Sequence, residues 1–128
     1  MALDLDTIAR LAHTRTIDLT TIGRRSGRPA TVEIWWFHFD ERFIVTGTPG
    51  RRDWYANILA NPSVKVRVRS AEYQGRARVV TDPGFRRRFF SDGAARWYST
   101  QSQLDALIET APMIEIELSN HDGQAGTG

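Results

Sequence analysis

The chain has 128 residues, enough for one domain with a single hydrophobic core and too few for two. Its 41% hydrophobic and 25% charged residues are ordinary for a globular protein, and no apolar run is long enough for a transmembrane helix. The lack of cysteine excludes disulfides, thiolate nucleophiles and iron–sulfur ligation. A net charge of only +2, with acids spread among the bases, argues against a nucleic-acid partner. These properties, and an N-terminus without the features of a secretory signal, predict a cytoplasmic protein with no integral membrane association.

The first part of the chain is predicted to form a short helix followed by three strands. Apolar spacing indicates a helix over residues 6–13. Residues 16–22, 31–39 and 42–47 alternate in polarity or are rich in β-branched and aromatic residues, which is typical of strands. The glycines and proline of residues 23–29 predict that a hairpin joins the first two strands.

The strand predicted over residues 31–39 changes character at Trp35. Before it, Val32 and Ile34 alternate with polar residues, which indicates one buried face. From Trp35 to Phe39 both faces are aromatic or apolar. We expect the second face to be covered by a helix, a partner chain or a ligand. A partner chain there would make the protein a homodimer.

A helix and two strands follow. The helix is predicted over residues 53–59, with Trp54 and Leu59 among the residues that face inward. The strands are predicted over residues 64–69 and 72–80. In the first of them valines alternate with cations, which indicates one buried and one solvated face.

The C-terminal part is predicted to contain two helices and a last strand. An aspartate followed by proline, Asp82 and Pro83, is a common helix start, and Arg86 falls on the solvent side of that helix. A second helix is predicted over residues 94–109, and a strand over residues 113–118.

This order of elements favours a small β-barrel with α-helices around it. About six mainly antiparallel strands in about 100 residues are expected to close on themselves, with three or four peripheral helices covering the gaps. We therefore expect a single domain over residues 1–118. Residues 119–128 are polar and rich in glycine, which predicts a disordered tail.

Several kinds of active site are excluded by motifs that the sequence lacks. It has no P-loop, no GxGxxG after a strand and no GxSxG nucleophile elbow. Its 3 histidines are scattered, and no histidines or carboxylates have metal-ligand spacing, so no metal is predicted. The catalytic residues are unknown at this stage, with His38 as the candidate for a proton donor.

Two loops that combine glycine, hydroxyl groups and arginine are candidate anion sites. The first contains Arg24, Arg25, Ser26, Gly27 and Arg28. Its glycine N–H groups can form a concave anion-binding surface, and its three close arginines repel one another unless they are solvated or share an anion. The alternative is a solvated basic hairpin.

The second loop precedes the helix predicted from residue 53. It contains Thr46, Gly47, Thr48, Pro49, Gly50, Arg51 and Arg52. Cations at a helix N-terminus oppose the helix dipole, whereas a phosphate or carboxylate bound there would make the arginines and the helix act together. The alternative is a solvated arginine pair. Trp54 and Asn57, on the first turns of the helix, are expected near the same cleft.

These motifs carry a resemblance to a known family. The hairpin sequence GR-x-[ST]-G-x-P from Gly23, the aromatic strand and the W-x-x-N-x-x-x-x-P helix from Trp54 resemble the deazaflavin-dependent nitroreductase family. That family belongs to the split β-barrel flavin and deazaflavin oxidoreductases and is typical of actinobacteria. The similarity covers residues 16–118.

The resemblance implies a split β-barrel that binds coenzyme F420. The phosphate and oligoglutamate tail of F420 would lie on the two arginine-containing loops, and its deazaflavin ring along residues 46–50. Hydride would pass from the reduced deazaflavin to a small electrophile such as a quinone or nitro compound. Trp35, Trp36 and Tyr98 would contact this substrate.

The sequence departs from the family in three respects. Several relatives use tyrosines near the C-terminus for substrate, where this chain has only Tyr98. Many relatives have a lysine where Pro49 stands and a basic residue where Ala30 stands. Two other functions therefore stay open: an FMN-binding oxidoreductase of the same fold, and a non-catalytic binding protein for a flavin, tetrapyrrole or lipid. A tail with many negative charges explains five loop arginines better than a single phosphate does.

Overall fold

The structure, a computed structural model, describes residues 15–119. The helix predicted over residues 6–13 and residues 120–128 of the predicted tail lie outside the described residues. The elements of the described part, in chain order, are β1 (Thr16–Ile22), β2 (Pro29–Trp35), β3 (Phe37–Phe39), β4 (Arg42–Thr46), α1 (Asp53–Ala60), β5 (Ser63–Val68), β6 (Ala71–Val79), α2 (Pro83–Ser91), a 3₁₀ turn (Gly93–Ala95), α3 (Arg96–Gln101), α4 (Leu104–Thr110) and β7 (Met113–Leu118).

The described strands form one antiparallel sheet in the order β2-β1-β5-β6-β7-β4-β3. The two strands at opposite ends of this order, β2 and β3, follow each other in the chain with only Trp36 between them. The sheet therefore curls until its ends meet. This is the predicted split β-barrel.

The strand predicted over residues 31–39 is in fact two strands, which is why the sheet has 7 strands rather than about six. β2 pairs with β1, whereas β3 pairs with β4. Between them the N–H of Trp36 donates to the carbonyl of Arg15 at 3.1 Å. Alternation of polarity reports which face is buried, but it does not report a change of partner strand.

The barrel interior is filled mainly by aliphatic side chains. Val64, Val66 and Val68 of β5 are buried there, while the side chain of Arg67 is exposed, as the alternation predicts. Burying such a side chain contributes roughly 1.5–3 kcal/mol relative to leaving it exposed. The other buried residues of this core are Ile17, Leu19, Trp36, Phe43, Val45, Trp54, Ile58, Ala77, Ile114 and Ile116.

A second, aromatic core lies between the sheet and helices α2–α4. Phe37 packs edge-on against Phe89 at 5.2 Å between ring centroids, and Phe39 packs against Phe89 at 5.4 Å. Helices of the same chain therefore cover the second face of the aromatic strand. The homodimer stays a prediction, but the aromatic face is no longer an argument for it.

Three predictions about the helices and β2 were wrong. The helix predicted over residues 94–109 is interrupted between α3 and α4, because the backbone at Ser102 and Gln103 is extended. Leu59 is 61% exposed and Val32 is 37% exposed, since both lie at the margin of the core.

Within the described residues, no helix has the length and apolarity needed to cross a bilayer.

Arg86 was also predicted wrongly, since it is 6% exposed rather than on the solvent side of α2. Its Nε donates to Ile108 O at 2.6 Å and its Nη1 to Val80 O at 2.8 Å. Its Nη2 donates to Leu107 O at 3.2 Å and to Ala111 O at 2.5 Å. Burial lowers the pKa of Arg86. The guanidinium thus caps the carboxyl end of α4, where free carbonyls need donors.

Candidate functional site

A cleft of about 550 Å³ lies between strands β1 and β2, helix α3 and the loop that joins β4 to α1. It is bordered by residues of the second predicted anion loop and by two of the predicted substrate residues, whereas residues 24–28 of the first predicted anion loop do not line it. The lining residues are Thr16, Glu33, Ile34, Trp35, Thr46, Gly47, Thr48, Arg52, Trp54, Trp97 and Tyr98.

The β4–α1 loop (residues 47–52) forms one side of the cleft and is fixed at its start by Pro112, the residue before β7. The carbonyl of Pro112 accepts hydrogen bonds from Thr46 Oγ1 at 2.5 Å and from the N–H of Gly47 at 3.2 Å. Thr46 is 2% exposed. Its hydroxyl, a predicted ligand donor, is therefore directed to the protein itself.

Arg52 folds back over its own loop. Its Nη2 donates to Thr48 O at 3.0 Å and to Thr48 Oγ1 at 2.8 Å, and its Nη1 donates to Arg51 O at 3.0 Å. Gly50 has a φ of 136°, and a Cβ there would lie 3.0 Å from Arg52 Nη1, so this position needs glycine. The neighbouring Arg51 is exposed. Two adjacent arginines therefore have different surroundings.

The hairpin loop (residues 23–28) is docked on α1 through Arg24. The Arg24 N–H and Nη1 both donate to Asn57 Oδ1, at 3.1 and 2.8 Å, and Nη2 pairs with Asp53 at 3.2 Å. Asn57 is 3% exposed, and its Nδ2 donates to Thr21 Oγ1 at 3.0 Å. The two predicted anion loops are thereby brought to the same end of one helix.

The remainder of the hairpin loop is exposed. Ser26 Oγ accepts a hydrogen bond from the N–H of Arg28 at 3.0 Å, and Gly27 turns the chain with a φ of 72°. The side chains of Arg25 and Arg28 are exposed. In the part of the chain that the structure describes, neither they nor Arg51 form a side-chain hydrogen bond or an ion pair. These three cations are free to meet a ligand.

The opposite side of the cleft is aromatic. This aromatic wall consists of Trp35, Trp97 and Tyr98, with the Trp35 ring 5.3 Å from Trp97 and 6.3 Å from Tyr98. Trp97 is 47% exposed and Tyr98 is 3% exposed. Burial raises the pKa of Tyr98 to about 12, although Arg15 opposes the shift. Tyr98 therefore stays a neutral phenol at physiological pH.

Some sequence candidates lie elsewhere. Trp36 is 6% exposed and stacks on Phe43 at 4.7 Å, so the structure places it in the barrel core rather than on the cleft wall. Pro49 belongs to the β4–α1 loop without lining the cleft, and His38 does not line it either.

Four lining residues were not predicted from the sequence: Thr16, Glu33, Ile34 and Trp97. Thr16 and Glu33 belong to regular alternating strands, and Trp97 belongs to a stretch read only as helix. The hydroxyl of Thr16 donates to Glu33 Oε2 at 3.1 Å. The sequence signal that could have identified Trp97 as a lining residue was its position next to Tyr98, a predicted substrate residue.

Comparison with solved structures defines the class of fold. The structure superposes on a putative pyridoxamine 5'-phosphate oxidase from Listeria innocua (TM-score 0.67, 16% identity, 90% of this chain and 92% of that chain). It also superposes on an F420-H2 dependent reductase (TM-score 0.61, 20% identity, 80% and 94%). A third match is HutZ, the haem storage protein from Vibrio cholerae (TM-score 0.61, 16% identity, 94% and 93%). At these identities the likeness establishes the split-barrel fold alone.

A match to a family model assigns the chain to one family within this class of fold. The family model of the F420H(2)-dependent quinone reductases matches residues 3–110. The chain belongs to this family, so it is an F420-dependent reductase with coenzyme F420 as its cofactor. This confirms the resemblance drawn from the hairpin and helix motifs and favours F420 over FMN.

Proposed function

We propose that the protein reduces a small planar electrophile, such as a quinone or a nitro compound, with reduced F420 as the hydride donor. The observation that carries the proposal is that one cleft is bordered both by the β4–α1 loop and by the aromatic wall. The loop contains the predicted ring site, and the wall contains two of the three predicted substrate residues, Trp35 and Tyr98. Hydride transfer requires donor and acceptor to approach within about 3–3.5 Å, which a shared cleft permits.

The exposed cations fit the acidic tail of F420. Arg25, Arg28 and Arg51 are exposed near one end of α1 and are not engaged elsewhere in the described residues. Phosphate and carboxylate groups form charge-assisted hydrogen bonds with arginine, and the N-terminus of α1, which has no side-chain cap, adds favourable N–H groups. Arg24 and Arg52 hold the loops in shape instead.

The chain's own contribution is binding and orientation. When bound, reduced F420 would supply a hydride and release one proton, and the acceptor would take up one hydride and one proton in turn. Arg52 orients the carbonyl and hydroxyl of Thr48 beside the cleft. Trp35 and Trp97 offer rings against which a flat acceptor stacks and loses water.

The test is binding followed by turnover. Purified protein is titrated with F420 and with FMN at two salt concentrations, and oxidation of reduced F420 is then followed spectroscopically with a naphthoquinone or a nitroarene. We expect tight, salt-sensitive F420 binding, weaker FMN binding and acceptor-dependent oxidation. Trp35→Leu should raise KM for the acceptor and leave the Kd for F420 unchanged. Oxidation no faster than without protein, for every acceptor, would refute the proposal.

A further inference from the structure

We propose that Glu33 selects acceptors by charge, so that neutral and positively charged planar acceptors are favoured over anionic ones. The inference rests on the proposed function, since it concerns the acceptor end of the same cleft. It assigns a substrate class and a specificity-determining residue that the family match does not give.

The cleft has a negative and a positive end. Among the described residues that line it, Glu33 is the acid and Arg52 is the base. The Arg52 guanidinium is turned toward Thr48, at the loop side. The Glu33 carboxylate is held on the β2 side by the hydroxyl of Thr16, on the same face of the strand as Trp35. Among the lining residues, the charge beside the aromatic wall is therefore negative, while Arg15, which does not line the cleft, places a cation over the Trp35 ring.

The charges around Glu33 reinforce this sign only in part. Asp18 of β1 lies directly opposite Glu33, an arrangement of like charges that destabilises a sheet. Arg67 of β5 lies on the other side of Asp18, and Arg15 lies 5.8 Å from the Trp35 ring centroid. Asp18 has a cation as its other neighbour across the sheet, whereas Glu33 is on the strand at the end of the sheet order. A cationic acceptor would relieve the repulsion between the two carboxylates.

The aromatic wall prefers the same class of acceptor. The faces of indole rings carry negative potential and attract cations and electron-poor rings. Trp35 and Trp97 are inclined at 69° to each other, so their faces point in different directions, and Trp97 is 47% exposed. The Glu33 carboxylate and the two indole rings at this end of the cleft therefore all favour a positively charged or electron-poor acceptor.

The experiment uses three 1,4-naphthoquinones that differ in one substituent: hydrogen, a sulfonate or a side chain ending in trimethylammonium. Binding of each is measured by quenching of tryptophan fluorescence without F420, and kcat/KM is measured with reduced F420. We expect the wild type to bind the ammonium compound more tightly than the sulfonate. In Glu33→Gln the ratio of these Kd values should move toward unity by about threefold to tenfold, as one partly solvated charge implies. The Kd of the neutral compound should stay the same.

Glu72→Gln is the matched control because the sheet register sets Glu33, Asp18, Arg67 and Glu72 in one row. The same charge is removed on the same row, but three strand spacings away, about 14 Å. That exceeds the screening length of about 8–10 Å at 0.10–0.15 M salt. This variant should keep the wild-type ratio. Thr16→Val retains the charge but frees the carboxylate, so it should lower the ratio less than Glu33→Gln does.

Each outcome decides between the two claims. An unchanged ratio in Glu33→Gln, an equal change in Glu72→Gln, or tighter sulfonate binding by the wild type overturns charge selection, the last implicating Arg15. If binding discriminates as expected but no quinone oxidises reduced F420, charge selection stands and the proposed reaction fails. If quinones oxidise reduced F420 but binding does not discriminate by charge, the proposed reaction stands and charge selection fails.

Discussion

The hairpin loop and the β4–α1 loop have similar compositions, yet different contacts hold them in place. The hairpin loop is attached to a neighbouring element, because Arg24 donates twice to the buried Asn57 of α1. The β4–α1 loop is held by its own Arg52 and by the Pro112 carbonyl. In each loop one guanidinium supports the fold. Arginine in a glycine-containing loop is thus either an internal donor or a cation without an internal partner, and the acceptors within its reach decide which, since Arg24 is itself exposed.

This difference predicts that the hairpin loop can be detached by a change on α1. Asn57→Leu removes three hydrogen bonds and leaves the Arg24 N–H and the Thr21 hydroxyl without their partner. We expect the free energy of unfolding to fall by roughly 2–4 kcal/mol, measured by urea denaturation. Thr21→Val removes only one of the bonds and should cost about 1 kcal/mol. A loss in Asn57→Leu no larger than in Thr21→Val would contradict the role assigned to this contact.

The exposed arginines should show the opposite behaviour. Arg25→Ala combined with Arg28→Ala removes charges that make no internal side-chain contact in the described residues, so stability should change by less than about 0.5 kcal/mol. If the tail of F420 meets these cations, its Kd should rise about 30- to 100-fold and depend less on salt. Calorimetric titration with F420 measures both effects.

The control for that experiment also removes two exposed cations. Arg76 of β6 and Arg87 of α2 are exposed and do not belong to either loop. Replacing both with alanine alters the net charge equally and should leave F420 affinity within about twofold, because exposed charges beyond the screening length contribute little. Equal losses in the two double variants would mean that net charge, rather than the hairpin loop, attracts the cofactor.

Within the β4–α1 loop the same distinction separates two neighbours. Arg52→Ala breaks the bonds to Thr48 and should lower the free energy of unfolding by about 1 kcal/mol, whereas Arg51→Ala should change it by less than about 0.5 kcal/mol. Both should weaken F420 binding, the first by loosening the loop and the second by removing a charge. Thermal unfolding of the single variants tests this. Equal stability losses would show that Arg52 does not support the loop.

Local pattern was enough to find most of the barrel. The bounds of β1 and β7 match the predicted ones, and the valine–cation alternation of β5 correctly separates its faces. Asp82 caps α2 by accepting from the N–H of Gly84 at 3.1 Å, as its aspartate–proline start predicts. These features depend on contacts within a few residues, and so the sequence carries them directly.

Contacts between distant parts of the chain could not be predicted from the local sequence pattern. The helical period around Arg86 cannot reveal that carbonyls of α4 and of the segment after it, 21–25 residues further on, would receive its guanidinium. Trp36 and Trp35 are equivalent as sequence neighbours, but a change of partner strand sends one into the barrel core and leaves the other on the cleft. The hydrophobic periodicity of a strand or helix predicts which of its residues are buried. Which residues line the cleft depends on which strands, helices and loops lie next to one another in the fold.

For this protein, the sequence alone determined a small β-barrel with two arginine-containing loops, because turn glycines, strand alternation and loop composition are properties of contiguous residues. The F420-dependent reductase was implied by the resemblance of those motifs to a known family and was confirmed by the family match. Which arginines are available to a ligand, and which side chains border the cleft, follows from folding alone. Hydrogen-bond donors such as Arg24 and Arg52 are claimed by carbonyl or amide oxygens in the folded chain. Glu33 and Trp97 border one cleft only because β2 and α3 meet there.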